Sequence, residues 1–245
     1  VSVHRVYIQV GDDDVPVGPC GFALWEGARF LGFNPVSFQG ARLPRFGNLT
    51  RSTLVHGWVS TVHAALGELG VPIPAPLDYP KELAPWFGRG INPSTLGAVH
   101  ESFVAIEIPR FIKPVACKQF TGHTIETFSD LAETANLPPE TPVWVSDVVD
   151  FVSEYRCFVH ARSLVGVQRY YGDAWTLPDK PSVLAMIRSF ESGPAGYALD
   201  VGVTRDGRTL LVEANDGYAL GNQGLAPLPY TELVIARWEQ MVGSP

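Results

Sequence analysis

The chain has 245 residues, enough for one large domain or two small ones, and its 46% hydrophobic content allows a proper core. A formal net charge of −7 removes any general attraction to nucleic acid, so none is expected as a partner. The 3 cysteines, Cys20, Cys117 and Cys157, show no CxxC or Cys/His spacing, which argues against a disulfide framework and a zinc site and marks them as buried thiols. No apolar run reaches the length of a membrane span, and VSVHRVYIQV alternates like a strand instead of forming a signal peptide's apolar core. A cytoplasmic protein with no membrane partner is expected.

In chain order, the pattern predicts a strand over Val3–Val10, a helix around Phe22–Leu31, a strand near Pro35–Phe38 and an extended run at Ser52–Trp58. A helix from Ser60 to Leu69 follows, stopped by Gly70, since glycine readily takes the left-handed conformation that ends helices. Pro72, Pro74, Pro76 and Pro80 then hold VPIPAPLDYP extended. With the turns up to Val99 this stretch reads as a join between a small α/β part, residues 1–99, and a strand-rich part, residues 100–245. In the second part, strands are expected at FVAIEI and RFIKPV, and the two strand runs WVSDVVDF and EYRCFVHARSLVGVQRYY read as a meander or hairpin. A helix at Pro181–Ser192, a second hairpin, the loop GYALGNQGL and a helix at Tyr230–Met241 complete it. Strands and helices in blocks instead of strict alternation predict an α+β fold.

The second hairpin, LDVGVTRDGRTLLVEAND, carries the strongest signal. Asp206-Gly207 between alternating runs predicts a tight two-residue turn. Val203 would then face Leu210, Val201 would face Val212 and Leu199 would face Ala214, which makes one face wholly apolar. The other face would bring Asp200 opposite Glu213, with Asn215 beside them. Two opposed carboxylates roughly 5 Å apart repel by about 3 kcal/mol at an effective dielectric near 20. Either the acids lie on a solvated face or a hard divalent cation offsets the repulsion, since Mg²⁺ takes oxygen ligands and is commonly held by one or two carboxylates.

Three cations invite an anion. Lys113 in RFIKPV and Lys118 in CKQFTG lie close to a Thr121-Gly122 turn and could bracket a phosphate chain, or simply be solvated. Arg156, in the strand run SEYRCFVHA, is costly there unless paired, so it meets either Glu154 or another carboxylate, or a phosphate. The histidines form no HxH or HExxH, and no GxSxG, GxxxxGK[ST] or GxGxxG motif is present.

Asp200 followed by Glu213-x-Asn215, with FIKP, Lys118 and FTG upstream, WVSDVVDFVSEYRCFV between, and GYALGNQGL after, resembles the ATP-grasp superfamily. More narrowly it resembles the clade named for one arginine and two lysines, from about Glu101 onward, with the first hundred residues similar to the small domain that precedes many such cores. The resemblance implies ATP and Mg²⁺ as cofactors, with Asp200, Glu213 and Asn215 as metal ligands. It implies phosphate contacts from Lys113 and Lys118, and stabilisation of the transferring phosphoryl group by Arg156. Val145 to Val149, including Val148, would be the hinge whose backbone contacts adenine, with Asp147 or Glu154 as a ribose contact. The implied activity is ATP-dependent joining of a carboxylate to an amine through an acylphosphate, the partners being small-molecule or peptide substrates, with an oligomer allowed. A kinase on the same fold and a non-catalytic nucleotide-binding module are the competing readings.

Overall fold

The structure, a computed structural model, describes residues 2–39, 49–103, 109–116 and 119–243. It opens with β1 (Arg5–Val10), α1 (Gly18–Phe30), β2 (Val36–Gln39), β3 (Thr53–His56) and α2 (Val59–Glu68). β1 lies between β2 and β3 and is parallel to both, a small α/β layer as the sequence leads one to expect. α2 ends as predicted: Gly70 has φ +66°, its N–H donates to the Gly67 carbonyl at 3.1 Å, and Val71 N–H donates to Leu66 at 2.9 Å. Those two bonds satisfy carbonyls that the helix end would otherwise orphan.

A second sheet is built from β4 (Ile91–Thr95), which leads into α3 (Leu96–Phe103), then β5 (Arg110–Pro114), β6 (His123–Ile125) and β7 (Pro142–Asp147). Its order is β4-β7-β5-β6, all antiparallel. β4 and α3 fall inside the stretch whose composition reads as a join, yet β4 pairs along β7 and Leu96 and Val99 enter this sheet's core with Ile112, Ile125, Leu131 and Val143. Of the strand expected at FVAIEI, residues 104–108 lie outside the described residues.

The third sheet contains β8 (Phe151–His160) and β9 (Ser163–Gly172), a hairpin spanning EYRCFVHARSLVGVQRYY while WVSD of the preceding run belongs to β7, followed by α4 (Lys180–Ser189), β10 (Gly196–Thr204), β11 (Thr209–Asp216) and α5 (Pro227–Gly243). Its order is β11-β10-β8-β9, antiparallel throughout. Every residue of β10 is buried, because both faces of the sheet are covered. One face packs Tyr155, Cys157, Val159, Leu199, Val201 and Leu211 against Val183, Met186 and Ile187 of α4. On the other, Phe158 and Ala198 join the core of the N-terminal layer through Tyr230, Leu233 and Trp238 of α5. α1 and α5 cross closely at Gly27, where a Cβ would collide with Thr231 Oγ1. Among the described residues no helix is long and apolar enough to cross a membrane.

The β10–β11 hairpin departs from its expected register near the turn. The loop has three residues, Arg205 to Gly207: Thr204 N–H donates to the Arg208 carbonyl at 2.9 Å and Gly207, at φ +83°, closes the turn. A type I turn finished by a left-handed glycine is the usual three-residue solution. Val203 therefore faces Thr209 and Val201 faces Leu211, each one residue off the expected pairing. The ladder then shifts between Asp200 and Val201, leaving Val212 as an extra residue, and from there Asp200 faces Glu213 and Leu199 faces Ala214 as predicted. Leu211, instead of Val212, supplies the apolar side chain opposite Val201.

Candidate active site

The third sheet carries a polar row across its four strands. Register places Gln168 of β9 beside Arg156 of β8, Arg156 beside Asp200 of β10, and Asp200 beside Glu213 of β11. Asp200 is only 2% exposed, which removes the solvated-face reading for this acid, while Glu213 is half-buried. Its carboxylate is gripped by both arms of one guanidinium, Arg156 Nε to Oδ1 at 2.8 Å and Arg156 Nη2 to Oδ2 at 2.7 Å. The arginine's partner is thus Asp200, while Glu154 accepts from the Tyr170 hydroxyl at 2.7 Å. Asn215 Nδ2 lies 3.1 Å from Asp200 Oδ2 and 3.1 Å from Glu213 Oε1, so three side chains converge on one point.

Lys113 reaches this row from β5 of the neighbouring sheet. Its Nζ donates to Glu213 Oε2 and, at 2.6 Å, to Asp78 Oδ1. Asp78 comes from the proline-rich crossing segment and is fixed at every end. Its other oxygen accepts from Trp144 Nε1 at 2.9 Å, its carbonyl accepts from Ala214 N–H at 2.8 Å, and its backbone has φ +42°. A non-glycine residue in the left-handed region signals a position held by its surroundings. Lys118 and Cys117 lie outside the described residues.

A cleft of about 270 Å³ opens between the two sheets above Lys113 and Glu213. Tyr79, Phe111 and Phe151 supply apolar wall, and Ser146 to Val149 and Glu154 supply the rim. Of the hinge residues singled out in the sequence, Asp147 and Val148 line this cleft. Asp147 is also tied to Arg110 Nη1 at 2.9 Å and to the Gly90 N–H at 3.0 Å. Val145 alternates to the other face of β7 and packs on the core of its own sheet.

Burial and pairing oppose each other here. Burial, with Glu213 and Glu154 nearby, pushes the Asp200 carboxyl up to about 6 against the pull of Arg156. Burial would raise Glu213 too, but Lys113, Asn215 and Arg156 outweigh it and hold this carboxyl below its ordinary value. For Lys113 burial favours the neutral amine, yet Glu213 and Asp78 prevail and keep it firmly protonated. Cys157, on the apolar face, is pushed up to about 12 by burial, as expected of an inert thiol.

The donor set suits a hard divalent ion. Two carboxylates and an amide meet at one point, and turning the Asn215 amide over would present its oxygen in place of its NH₂. Four carboxylates, Asp78, Glu154, Asp200 and Glu213, stand against the three cations Lys113, Arg156 and Arg89, so one negative charge remains among them. Among the described residues no group of three or more His, Cys, Asp or Glu side chains is placed to hold a metal.

The model of family 2 of the ATP-grasp clade named for one arginine and two lysines matches residues 86–233. The chain belongs to this ATP-grasp family. No curated protein matches it. Among solved structures it is similar to D-cycloserine synthetase DcsG, with a TM-score of 0.62 at 13% identity over 96% of this chain and 99% of that one. D-alanine–D-alanine ligase from Bacillus anthracis, solved in complex with ATP, gives 0.59 at 14% identity over 99% of each chain. The ATP-grasp ligase PsnB, complexed with a minimal precursor, gives 0.57 at 15% identity over 96% of this chain and 100% of that one. At such identities the likeness establishes the ATP-grasp fold alone.

Three residues at the ATP-grasp cleft give little sign of themselves in the sequence. Asp78 is a lone acid inside a proline run, and Trp144 sits in an ordinary strand pattern, so neither carries a local signal. Arg89, in FGRGI, lines the cleft with its guanidinium 5.8 Å from the Tyr79 ring centroid and 5.9 Å from that of Phe151. Its two flanking glycines mark a place where backbones approach, which is the only hint the sequence offers. In the loop GYALGNQGL, the Gly221 carbonyl accepts from Arg156 Nη1 at 3.3 Å and Tyr218 Oη lies 3.1 Å from His63 Nε2 of α2, which ties this loop to both the polar row and the N-terminal layer.

Proposed function

We propose that the chain is an ATP-dependent ligase that joins a carboxylate to an amine through an acylphosphate. The observation that carries this reading is the convergence of Asp200, Glu213 and Asn215, with Arg156 paired to Asp200, beside a cleft lined by Lys113 and Glu213 in a chain of the ATP-grasp family. In this reading adenine enters between Tyr79, Phe111 and Phe151, with the Ser146 to Val149 backbone as its edge contact and Asp147 or Glu154 as the ribose contact. Lys113 and Lys118 bind the phosphates. Asp200, Glu213 and Asn215 would hold Mg²⁺, which when bound supplies charge neutralisation at the phosphates. Arg156, anchored on Asp200, presents Nη1 toward the Gly221 loop, where the carboxylate and its phosphorylated form would lie.

Phosphoryl transfer needs positioning and charge stabilisation more than a covalent nucleophile, and these residues supply both. The carboxylate oxygen attacks the γ-phosphorus as the bond to ADP breaks. The amine then attacks the acyl carbon, phosphate leaves, and the amine gives up a proton. The named neighbours favour this reading: D-alanine–D-alanine ligase is by its name a ligase, and PsnB is a ligase whose partner is a precursor peptide. Small-molecule or peptide carboxylates and amines are the substrates proposed.

Hydroxylamine tests the step directly, because it intercepts an acylphosphate as a hydroxamate. Carboxylate-dependent hydroxamate formation matched by ADP release is expected across a panel of amino acids and peptides. A stable phosphorylated product with no hydroxamate would replace the ligase by a kinase, and binding of ATP without turnover on any acceptor would leave a nucleotide-binding module.

A further inference from the structure

The three-residue turn of the β10–β11 hairpin creates a problem for the site. Continued unbroken, its register would pair Asp200 with Val212 and turn Glu213 toward the apolar face occupied by Leu199, Val201 and Leu211. A one-residue slip flips every side chain of a strand. The extra residue at Val212 cancels the slip, and as a result Val212 and Glu213, consecutive in sequence, both line the cleft.

Arg89 holds that irregularity. Its Nη1 donates to the Leu211 carbonyl at 2.8 Å and its Nη2 to the Val212 carbonyl at 3.1 Å, with a further bond from Nη1 to the Phe87 carbonyl at 2.9 Å. Consecutive carbonyls of a regular strand point to opposite sides, so one guanidinium reaches both only where a bulge turns them the same way. β11 is the edge strand of its sheet, and on its outer side Ala214 N–H donates to the Asp78 carbonyl while the Leu211 and Val212 carbonyls meet Arg89. Burial pushes the Arg89 pKa down, and those three acceptors are neutral carbonyls, so the cation sits there at a cost. A planar fork suits two adjacent carbonyls, whereas an ammonium is a single point of donation.

We propose that Arg89 is a positioning residue: it clamps the Val212 bulge and thereby keeps the Glu213 carboxylate across from Asp200. Its relevance to magnesium and nucleotide rests on the site reading above. Bulges commonly re-aim a side chain beside an active site, and residues that orient metal ligands alter metal affinity by about 10- to 100-fold when removed.

The test uses Arg89→Met in the full chain, free of ligand, with NMR cross-strand signals between the backbones of Asp200 and Glu213 as the first readout. Those signals are expected to vanish in the variant and to return when Val212 is also deleted, because the deletion places Glu213 directly after Leu211 in a regular ladder. The second readout is ADP affinity with and without Mg²⁺. The enhancement by Mg²⁺ should fall by about tenfold in Arg89→Met, beyond any loss of metal-free affinity. Persistence of the Asp200–Glu213 signals in Arg89→Met would overturn the clamp. Equal loss of metal-free and metal-dependent affinity would overturn it too, making Arg89 a direct nucleotide ligand. If Arg89→Met fails to fold, the double variant decides: recovery on deleting Val212 supports the clamp, and continued failure contradicts it. If the unaltered protein shows no Mg²⁺-dependent binding while Arg89→Met still abolishes the Asp200–Glu213 signals, the site reading is rejected and the clamp stands.

Discussion

The two faces of the β11-β10-β8-β9 sheet are built from the same strands by alternation, yet they obey different rules. On one face Tyr155, Cys157, Leu199, Val201 and Leu211 interdigitate with α4, and each contributes by leaving water. On the other, Asp200 is buried and Arg156, Glu213 and Asn215 are half-buried, where burial alone costs free energy. Replacing a buried ion pair by apolar residues is often neutral or stabilising, so the second face is poorly explained as a contribution to the fold. Asp200 is held apart from solvent, while Glu213 beside it opens onto the cleft, an arrangement that fits the proposed binding site. The apolar face packs β10 against α4.

Breaking the pairing on the charged face should have the largest effect. Arg156→Met leaves Asp200 buried and unpaired, and a loss of about 3–5 kcal/mol in urea unfolding at pH 7 is expected. Adding Asp200→Asn should return most of it; a double variant as unstable as the single one would show that Arg156 acts by packing instead. On the apolar face, Leu199→Ala should cost about 2–5 kcal/mol by opening a cavity, while nucleotide affinity of the folded protein stays unchanged. A parallel loss of affinity would contradict the division of labour between the faces.

His56, at the end of β3 beside the Tyr230 ring, sharpens the contrast between charge kept by a partner and charge given up. Burial lowers its pKa from 6.5 to about 4, so the folded protein keeps it neutral where the unfolded chain would take a proton. The unfolded state binds more protons between those values. Stability from this group is therefore complete above pH 6.5 and is lost as pH falls toward 4, by about 3 kcal/mol in all. His56→Phe should flatten that acid limb in thermal melts between about pH 7 and 4.5; an unaltered slope would place the titration elsewhere. The smallest effect is expected for Lys113→Ala. It should weaken ATP binding by roughly tenfold, about 1.4 kcal/mol, through loss of one phosphate contact, and calorimetry showing unaltered affinity would remove Lys113 from the phosphate site.

Much of this site is legible in the sequence because hairpins are local. Asp200, Glu213 and Asn215 lie within one turn of chain reversal, and alternation alone places them on one face. The turn length is not legible, since Asp-Gly serves both two- and three-residue loops; the expected pairing of Asp200 with Glu213 holds only because the Val212 bulge cancels the difference. Asp78 and Arg89 are hidden for another reason, because their roles depend on distant segments. Asp78 meets Lys113 35 positions away, and Arg89 meets the Leu211 and Val212 carbonyls 122 and 123 positions away. Periodicity reports which face a side chain takes and carries no information on which distant segment covers that face.

Calorimetry of ADP binding with and without Mg²⁺, on the unaltered protein and on Glu213→Ala, bears most directly on the claim that this hairpin is a nucleotide–metal site. Tighter binding with Mg²⁺ in the unaltered protein, and loss of that enhancement in a folded Glu213→Ala, is the predicted result. An enhancement of equal size in both proteins would contradict it.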